Sequence, residues 1–434
     1  MTKPVGAAFG IYIHVPFCAR RCGYCDFNSY VAGPDERAAF VRHAVAELEL
    51  AAAELERMGA GGRTASSVFF GGGTPTVLAV DQLVELSDAV GRVFGTVPGA
   101  EVTTEANPDS LDAAGLARLA AAGFNRVSFG MQSAEPAVLA ALDRSHDPAR
   151  LPGLVEAARA AGLDVSVDLI YGTPGESLVD WETSLGAALD LGVDHISAYA
   201  LTLEPHTPMA RRISRGELAA IDADEQADKY ELADDLFEAA GLPWYEISNW
   251  ARPGHESRHN LGYWTGGEWW GIGPGAHSAV GARRWWNLKP PRAYGRAVAS
   301  GALPKAGQET LDAAAFDLER IMLRLRTAGG LAKAELPEAA RTAIPALIAD
   351  GLVRPAGVTA EGSPQLIRPV PPTPRGAGFG NLESGGNPTA PPTPRGAGAD
   401  GAGTGPFGWD GDDGIVLTRR GRLLADLVTR RLMR

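Results

Sequence analysis

Cysteine is scarce, with three in a chain of 434 residues. So small and odd a number excludes a disulfide framework and suits a reducing cytoplasm. Positive charge is also short. Against 52 acidic side chains stand 40 lysines and arginines, a formal net charge of -12, which argues against a dedicated nucleic-acid binder. No run of 18 uncharged apolar residues occurs, so no transmembrane segment is expected. Met1–Gly10 lacks the basic start, apolar run and cleavage site of a secretory leader. What remains is a globular composition, 45% hydrophobic and 21% charged. The length suits roughly two to three domains. Glycine and proline are abundant, 54 and 31, above the roughly 12% that is usual.

From Phe9 to about Glu204, short β-branched runs alternate with amphipathic stretches. The expected strands are Ile11–Val15, Ser67–Phe70, Glu101–Glu105, Arg126–Phe129, Val165–Ile170 and His195–Leu201. Helical spacing fills the gaps, for example over Glu36–Glu56, Asp81–Val93 and Trp181–Asp190. Six β-then-α units in succession predict a parallel sheet with helices outside, as an open doubly wound sheet or a full or partial barrel. Either arrangement gathers ligands at the carboxyl ends of the strands.

Glu225–Ala240 reads as a further helix. Seven of the nine tryptophans then fall between Trp244 and Trp286. Helices return from Leu311 to Asp350, and a short β-ribbon and terminal helix follow, which predicts a smaller, winged-helix-like C-terminal domain. The expected organisation is a barrel over 1–240, an aromatic-rich connecting segment over 241–306 and the C-terminal domain over 307–434. An insertion at about 363–411 interrupts that domain. There Pro371-Pro-Thr-Pro-Arg-Gly-Ala-Gly recurs as Pro391-Pro-Thr-Pro-Arg-Gly-Ala-Gly, and 19 of residues 371–410 are Gly or Pro. Four large apolar side chains in those forty residues bury too little surface to offset ordering entropy, so disorder is expected.

All three cysteines lie in Cys18-Ala-Arg-Arg-Cys22-Gly-Tyr-Cys25, just past the first expected strand. Thiolates spaced C-x3-C-x2-C on one loop suit a single metal centre. A structural zinc site closes with four ligands, and no fourth cysteine exists; His14 would have to reach back from the strand. A four-iron cluster held by three cysteines leaves one iron open to a ligand.

With Ile11-Tyr-Ile-His-Val-Pro-Phe before the first cysteine and Tyr24 before the last, this loop resembles the radical S-adenosylmethionine (SAM) superfamily. It is most similar to the branch containing oxygen-independent coproporphyrinogen III oxidases (dehydrogenases) and HemW-type heme chaperones. The resemblance implies a partial (β/α)6 TIM-type barrel, a 4Fe-4S cluster on Cys18, Cys22 and Cys25, and SAM chelated to the open iron. In such proteins an electron from the cluster cleaves SAM to methionine and a 5'-deoxyadenosyl radical.

The resemblance assigns SAM contacts to Tyr12, to Gly72, Gly73 and Thr74 of Gly71-Gly-Gly-Thr-Pro, and to Glu105, Gln132, Arg144 and Asp168. Their chemistry is apt. Glycines admit close backbone approach, arginine pairs with a carboxylate, and Gln, Glu and Asp bind hydroxyls or an ammonium.

Two functions compete within that branch. The oxidase pattern carries a fourth cysteine two residues after the third, where this chain has Phe27. The heme-chaperone pattern carries Asp-Phe there, and a His-Asn-x-x-Tyr-Trp motif, present as His259-Asn260-Leu-Gly-Tyr263-Trp264. That match makes His259, Asn260, Tyr263 and Trp264 heme-binding candidates, since imidazole ligates heme iron and aromatic rings pack on a macrocycle. On local grounds a histidine among tryptophans is a packing residue, and His255 and His277 are alternative ligands. The expected function is therefore a heme chaperone, with heme, an acceptor protein and an electron donor as partners and no nucleic acid. Oxidative decarboxylation of coproporphyrinogen III is the alternative. Six arginines in the last 20 residues raise two readings for the terminal helix, a basic face for anionic lipid or an ordinary packed helix.

Overall fold

A computed structural model describes residues 8–356 and 413–433. The insertion expected at 363–411 lies outside the described residues. Six strands form the centre of one sheet in sequence order, all parallel: β1 (Phe9–Val15), β2 (Ala65–Gly72), β3 (Thr96–Ala106), β4 (Arg126–Gln132), β5 (Asp164–Tyr171) and β6 (His195–Ala200). Helices such as Pro34–Arg57, Val80–Val93, Leu151–Ala160 and Leu178–Asp190 connect them. The expected parallel sheet of partial-barrel type is present.

The aromatic-rich stretch extends that sheet at both edges. β7 (Trp244–Glu246) and β8 (Asn249–Ala251) add antiparallel beyond β6. β9 (Glu268–Ile272) pairs parallel with the opposite edge, β1. Beyond it lie β10 (His277–Val280), β11 (Arg283–Asn287) and β12 (Lys305–Thr310), antiparallel, making twelve strands in all. The chain therefore crosses from one edge of the barrel to the other between Ala251 and Glu268. The short helix Arg258–Trp264 makes that crossing.

Alternation along the strands sorts the side chains. Outward residues Ile11, Ile13, Val68, Phe70, Val127, Phe129, Val165, Val167 and Ile196 are buried against the helices in one large apolar core. Inward residues are mostly polar: Thr103, Glu105, Arg126, Ser128, Ser166, Asp168, His195 and Ser197. A closed TIM barrel packs its interior with branched aliphatic layers. This lumen is built to hold something else.

The C-terminal unit has its own core of Ile321, Leu325, Leu331, Leu347, Ile415, Leu417, Val428 and Leu432. A small sheet runs β13 (Leu331–Ala332), β15 (Gly414–Leu417), β14 (Val353–Pro355), with helices Ala313–Leu325, Glu338–Ala349 and Ala425–Leu432 around it. β14 and β15 are antiparallel neighbours, and Ala356 N–H donates to Gly414 O at 3.0 Å.

The terminal helix is the packed one. Val428 and Leu432 are buried, and four described arginines of this C-terminal stretch have internal partners. Arg431 pairs with Asp350 at 2.7 Å and Arg420 donates to the Asp350 carbonyl at 3.2 Å. Arg419 and Arg422 both grip Asp234 on the barrel helix Ala223–Ala239, Arg422 through two bonds of 2.8 and 2.5 Å. The Arg422 guanidinium also lies over the rings of Trp244 and Tyr230. Among the described residues no helix is long and apolar enough to cross a membrane.

Candidate functional site

One cavity of about 990 Å³ opens at the carboxyl ends of the parallel strands. The cysteine loop forms one side of it. The loop leaves β1 and is held by Cys18 N–H to Tyr30 O at 2.9 Å and by Tyr30 N–H to Pro16 O at 2.8 Å. Cys18, Cys22 and Cys25 all face the cavity, half-buried and free of disulfides. Gly73 is what lets the loop lie this close, since a Cβ there would sit 2.5 Å from Phe17 O and 3.0 Å from Cys18 Sγ. Burial raises the Cys18 thiol and pushes Cys25 up to about 11. Left alone, these are neutral thiols, and a bound cation would deprotonate them. Among the described residues no three His, Cys, Asp or Glu side chains close on one metal ion. Three soft donors along one loop suit a polynuclear cluster, in which each thiolate takes a different iron.

The strand ends supply the rest of the rim. Gly72 (φ 109°) lies in a conformation that β-carbons resist, and a Cβ there would strike the His14 ring at 2.7 Å. Arg144 reaches across, donating from Nη2 to Gly130 O at 2.9 Å, with Nη1 3.9 Å from Cys22 Sγ. Its buried Nε has no partner. Gln132 is one of two described non-glycine residues with positive φ (65°), at a bulge where β4 slips against β5. Such strain gathers at functional sites. Asp168 accepts from Ser128 Oγ at 3.0 Å through both oxygens, and burial raises its pKa. Glu105 is pushed up to about 8 by burial and by the nearby Asp168. At neutral pH it is therefore largely protonated and able to donate. Tyr12, Gly72, Gly73, Thr74, Glu105, Gln132, Arg144 and Asp168 all line the same cavity as the thiols.

The helix Arg258–Trp264 sits against the other end. Glu101, reaching in from β3, takes up its first backbone donors, Arg258 N–H at 2.8 Å and His259 N–H at 3.0 Å. This fixes His259 under the lumen, stacked on Phe69 with centroids 5.1 Å apart. Its Nδ1 is 2.8 Å from Ser67 Oγ and its Nε2 2.7 Å from Tyr263 Oη. Burial depresses its pKa to about 3. In this conformation the ring is neutral and neither nitrogen is free to ligate iron. Asn260 and Tyr263 line the cavity too. Trp264 does not, and its indole N–H is directed to the Glu246 carboxylate. Neither His255 nor His277 lines the cavity.

Residues 12–188 match the family model of the Radical SAM superfamily. The heme chaperone HemW of Mycobacterium tuberculosis is 51% identical over 355 residues, covering 80% of this chain and 89% of that protein. The heme chaperone HemW of Bacillus subtilis is 36% identical over 333 residues, covering 75% and 86%. The chain belongs to the HemW family of the radical SAM superfamily. Among solved structures, the Escherichia coli coproporphyrinogen III oxidase (HemN), described as a radical SAM enzyme, aligns over 98% of this chain and 90% of its own. The TM-score is 0.73 at 20% identity, which establishes a shared fold.

A brace behind this HemW-family cavity was missed in the sequence. Tyr12 Oη bonds His14 Nδ1 (3.1 Å), and His14 Nε2 bonds Asn28 O (3.0 Å). Asn28 Nδ2 donates to Pro274 O (2.9 Å). Next to it, Gly273 N–H, Asn287 Nδ2 and Tyr294 Oη all donate to Glu47, at 2.8, 2.6 and 2.6 Å. Glu47 lies mid-helix in Pro34–Arg57, fully buried, and its pKa is pushed up to about 7 by burial. An acid on the apolar face of an amphipathic helix was the available signal.

Proposed function

We propose that this chain binds heme and passes it to an acceptor protein, with a 4Fe-4S cluster on Cys18, Cys22 and Cys25 and SAM beside it. The observation that carries the reading is the likeness to the mycobacterial heme chaperone over most of both chains. Phe27, 57% exposed at the cavity edge, agrees, because a fourth thiol there would mark the oxidase. Cluster and SAM together supply one-electron reductive chemistry when bound.

The residues present suit SAM. The free Nε of Arg144 is a donor for the methionine carboxylate. The glycine edge at Gly72 and Gly73 with Thr74 lets backbone approach the ligand. Gln132, Asp168 and the protonated Glu105 offer acceptors and a donor for ribose hydroxyls or the ammonium, and Tyr12 walls the lower side. For heme, Tyr263 and Asn260 present polar and aromatic surface to the cavity, while His259 holds Tyr263 in place. Iron ligation by His259 would require it to release Ser67 or Tyr263. An electron donor and the acceptor protein complete the proposal.

The test is a side-by-side assay of the cluster-reconstituted full chain. Heme retention near one per chain with negligible coproporphyrinogen III turnover is expected. Robust conversion to protoporphyrinogen with negligible heme binding would overturn the reading in favour of the oxidase.

A further inference from the structure

Below the SAM rim the cavity continues into the barrel, where its wall is made of side chains the reading above does not use. Thr103 on β3, Arg126 at the start of β4, Ser166 on β5 and His195 at the start of β6 all line it. Strand register puts Thr103 opposite Arg126 and Ser166 opposite His195. Thr103 is 1% exposed, Arg126 4% and His195 3%. Arg126 Nη1 donates to His255 O at 2.8 Å. Its Nη2, however, together with Thr103 Oγ1 and His195 Nδ1, has no hydrogen-bond partner. Native proteins pair nearly all buried polar atoms, so three orphans on residues that line one lumen call for an explanation.

The tautomer of His195 follows from its neighbour. His195 Nε2 is 2.7 Å from Tyr245 Oη, and that oxygen already accepts from Ser257 N–H at 3.2 Å. The phenol hydrogen is therefore free to go to Nε2, which leaves the imidazole proton on Nδ1, a donor. Burial and the Arg126 charge keep this histidine neutral. The floor thus presents one fixed positive charge and neutral donors. Its complement is a singly charged anion with two acceptor oxygens. The Asp168 carboxyl on the layer above disfavours a more highly charged one.

We propose that Arg126, Thr103 and His195 form a carboxylate-binding site at the floor of the barrel. The carboxylate has two sources of the same chemistry, a propionate arm of the tetrapyrrole or a free small carboxylic acid. The first source rests on the heme reading; the second does not.

The experiment uses the full chain with three probes: heme, heme dimethyl ester and sodium propionate. The expected result is tighter binding of heme than of its ester. Arg126→Gln should erase that preference, with a loss of about tenfold or more in heme affinity for one charge-assisted hydrogen bond. Thr103→Val, which keeps shape and volume, should cost roughly fivefold. Equal binding of heme and ester, together with an Arg126-dependent thermal shift by sodium propionate, would assign the site to a free acid and also support it. If both variants fold, by circular dichroism, and neither changes any probe's binding, the floor holds water only and the proposal is overturned. Absence of heme binding in the wild type would sink the heme reading alone, with the propionate arm still deciding this one.

Discussion

The cysteine loop and the helix Arg258–Trp264 are furnished in opposite ways. At the cysteine loop the side chains are unfinished: three thiols share no disulfide, burial raises the pKa of Cys18 and Cys25, and the adjacent Arg144 has a free nitrogen. At the helix Arg258–Trp264 the chemistry is complete. Glu101 caps the backbone, and both nitrogens of His259 are spoken for. Unsatisfied groups at low exposure are costly, and a fold keeps them where a ligand repays the cost. Saturated ones hold shape. The two motifs most visible in the chain therefore do different work, one by offering donors and the other by placing a wall.

The sharpest way to break this contrast is at the cysteines. Cys18→Ser, Cys22→Ser and Cys25→Ser should each take iron and acid-labile sulfide from stoichiometric to near zero after reconstitution. The apo-protein's unfolding midpoint should hardly move, because the thiols carry little packing. Retained iron in any one of them would end the comparison.

Behind the cavity, Glu47 tests the brace. Its folded pKa of about 7 lies above the unfolded value of 4.5, so the native state binds the extra proton. Its stabilisation is full below pH 4.5 and is lost as pH rises through 7. Chemical denaturation of the wild type against Glu47→Gln should show the variant gaining, relatively, on the order of 3 kcal/mol across that window. A pH-independent difference would show that Glu47 is ionised in the fold.

His259→Ala should cost roughly 2 kcal/mol in denaturant unfolding, from the lost stack on Phe69 and two stranded hydroxyls. Iron incorporation and the heme absorption spectrum should stay as they are. A changed heme spectrum would make His259 a ligand and move the helix to the unfinished side of the comparison. Smallest is Tyr263→Phe, at about 1 kcal/mol. It frees His259 Nε2, so this variant, unlike the wild type, should show a histidine-ligated heme spectrum.

The barrel was legible because its outward faces obey a simple rule. Val, Ile and Phe at alternate positions of β1 to β6 mark strands covered by helices. The rim residues were legible through family likeness, and they line one cavity although Tyr12 and Asp168 lie within strands and Arg144 lies twelve residues past β4. Contacts set by distant register were not. Nothing local says that β9 returns to pair with β1, because its Trp269-Trp270 sequence reads as an aromatic cluster rather than a strand. The bulge that turns Gln132 to positive φ depends on how β4 meets β5. His259 is instructive in both directions. Tyr263 stands four residues on, one helical turn away, so that bond was within reach of the motif. Ser67 is 192 residues distant and appears only once α-helix and strand meet. Arg126 looked like the start of a strand, and only burial with an unpartnered nitrogen makes it a candidate ligand group.

One feature of the small sheet bears on how this protein can be studied. The chain leaves β14 after Ala356 and re-enters β15 at Gly414, and those two residues are hydrogen-bonded to each other. Because the strands themselves hold the exit and the entry together, the cost of whatever joins them grows only with the logarithm of its length. That junction is a port. A fluorescent reporter spliced there would travel with the full chain while leaving the residues of the cysteine loop and the lumen unchanged, and would put the proposed hand-over of heme to a direct test.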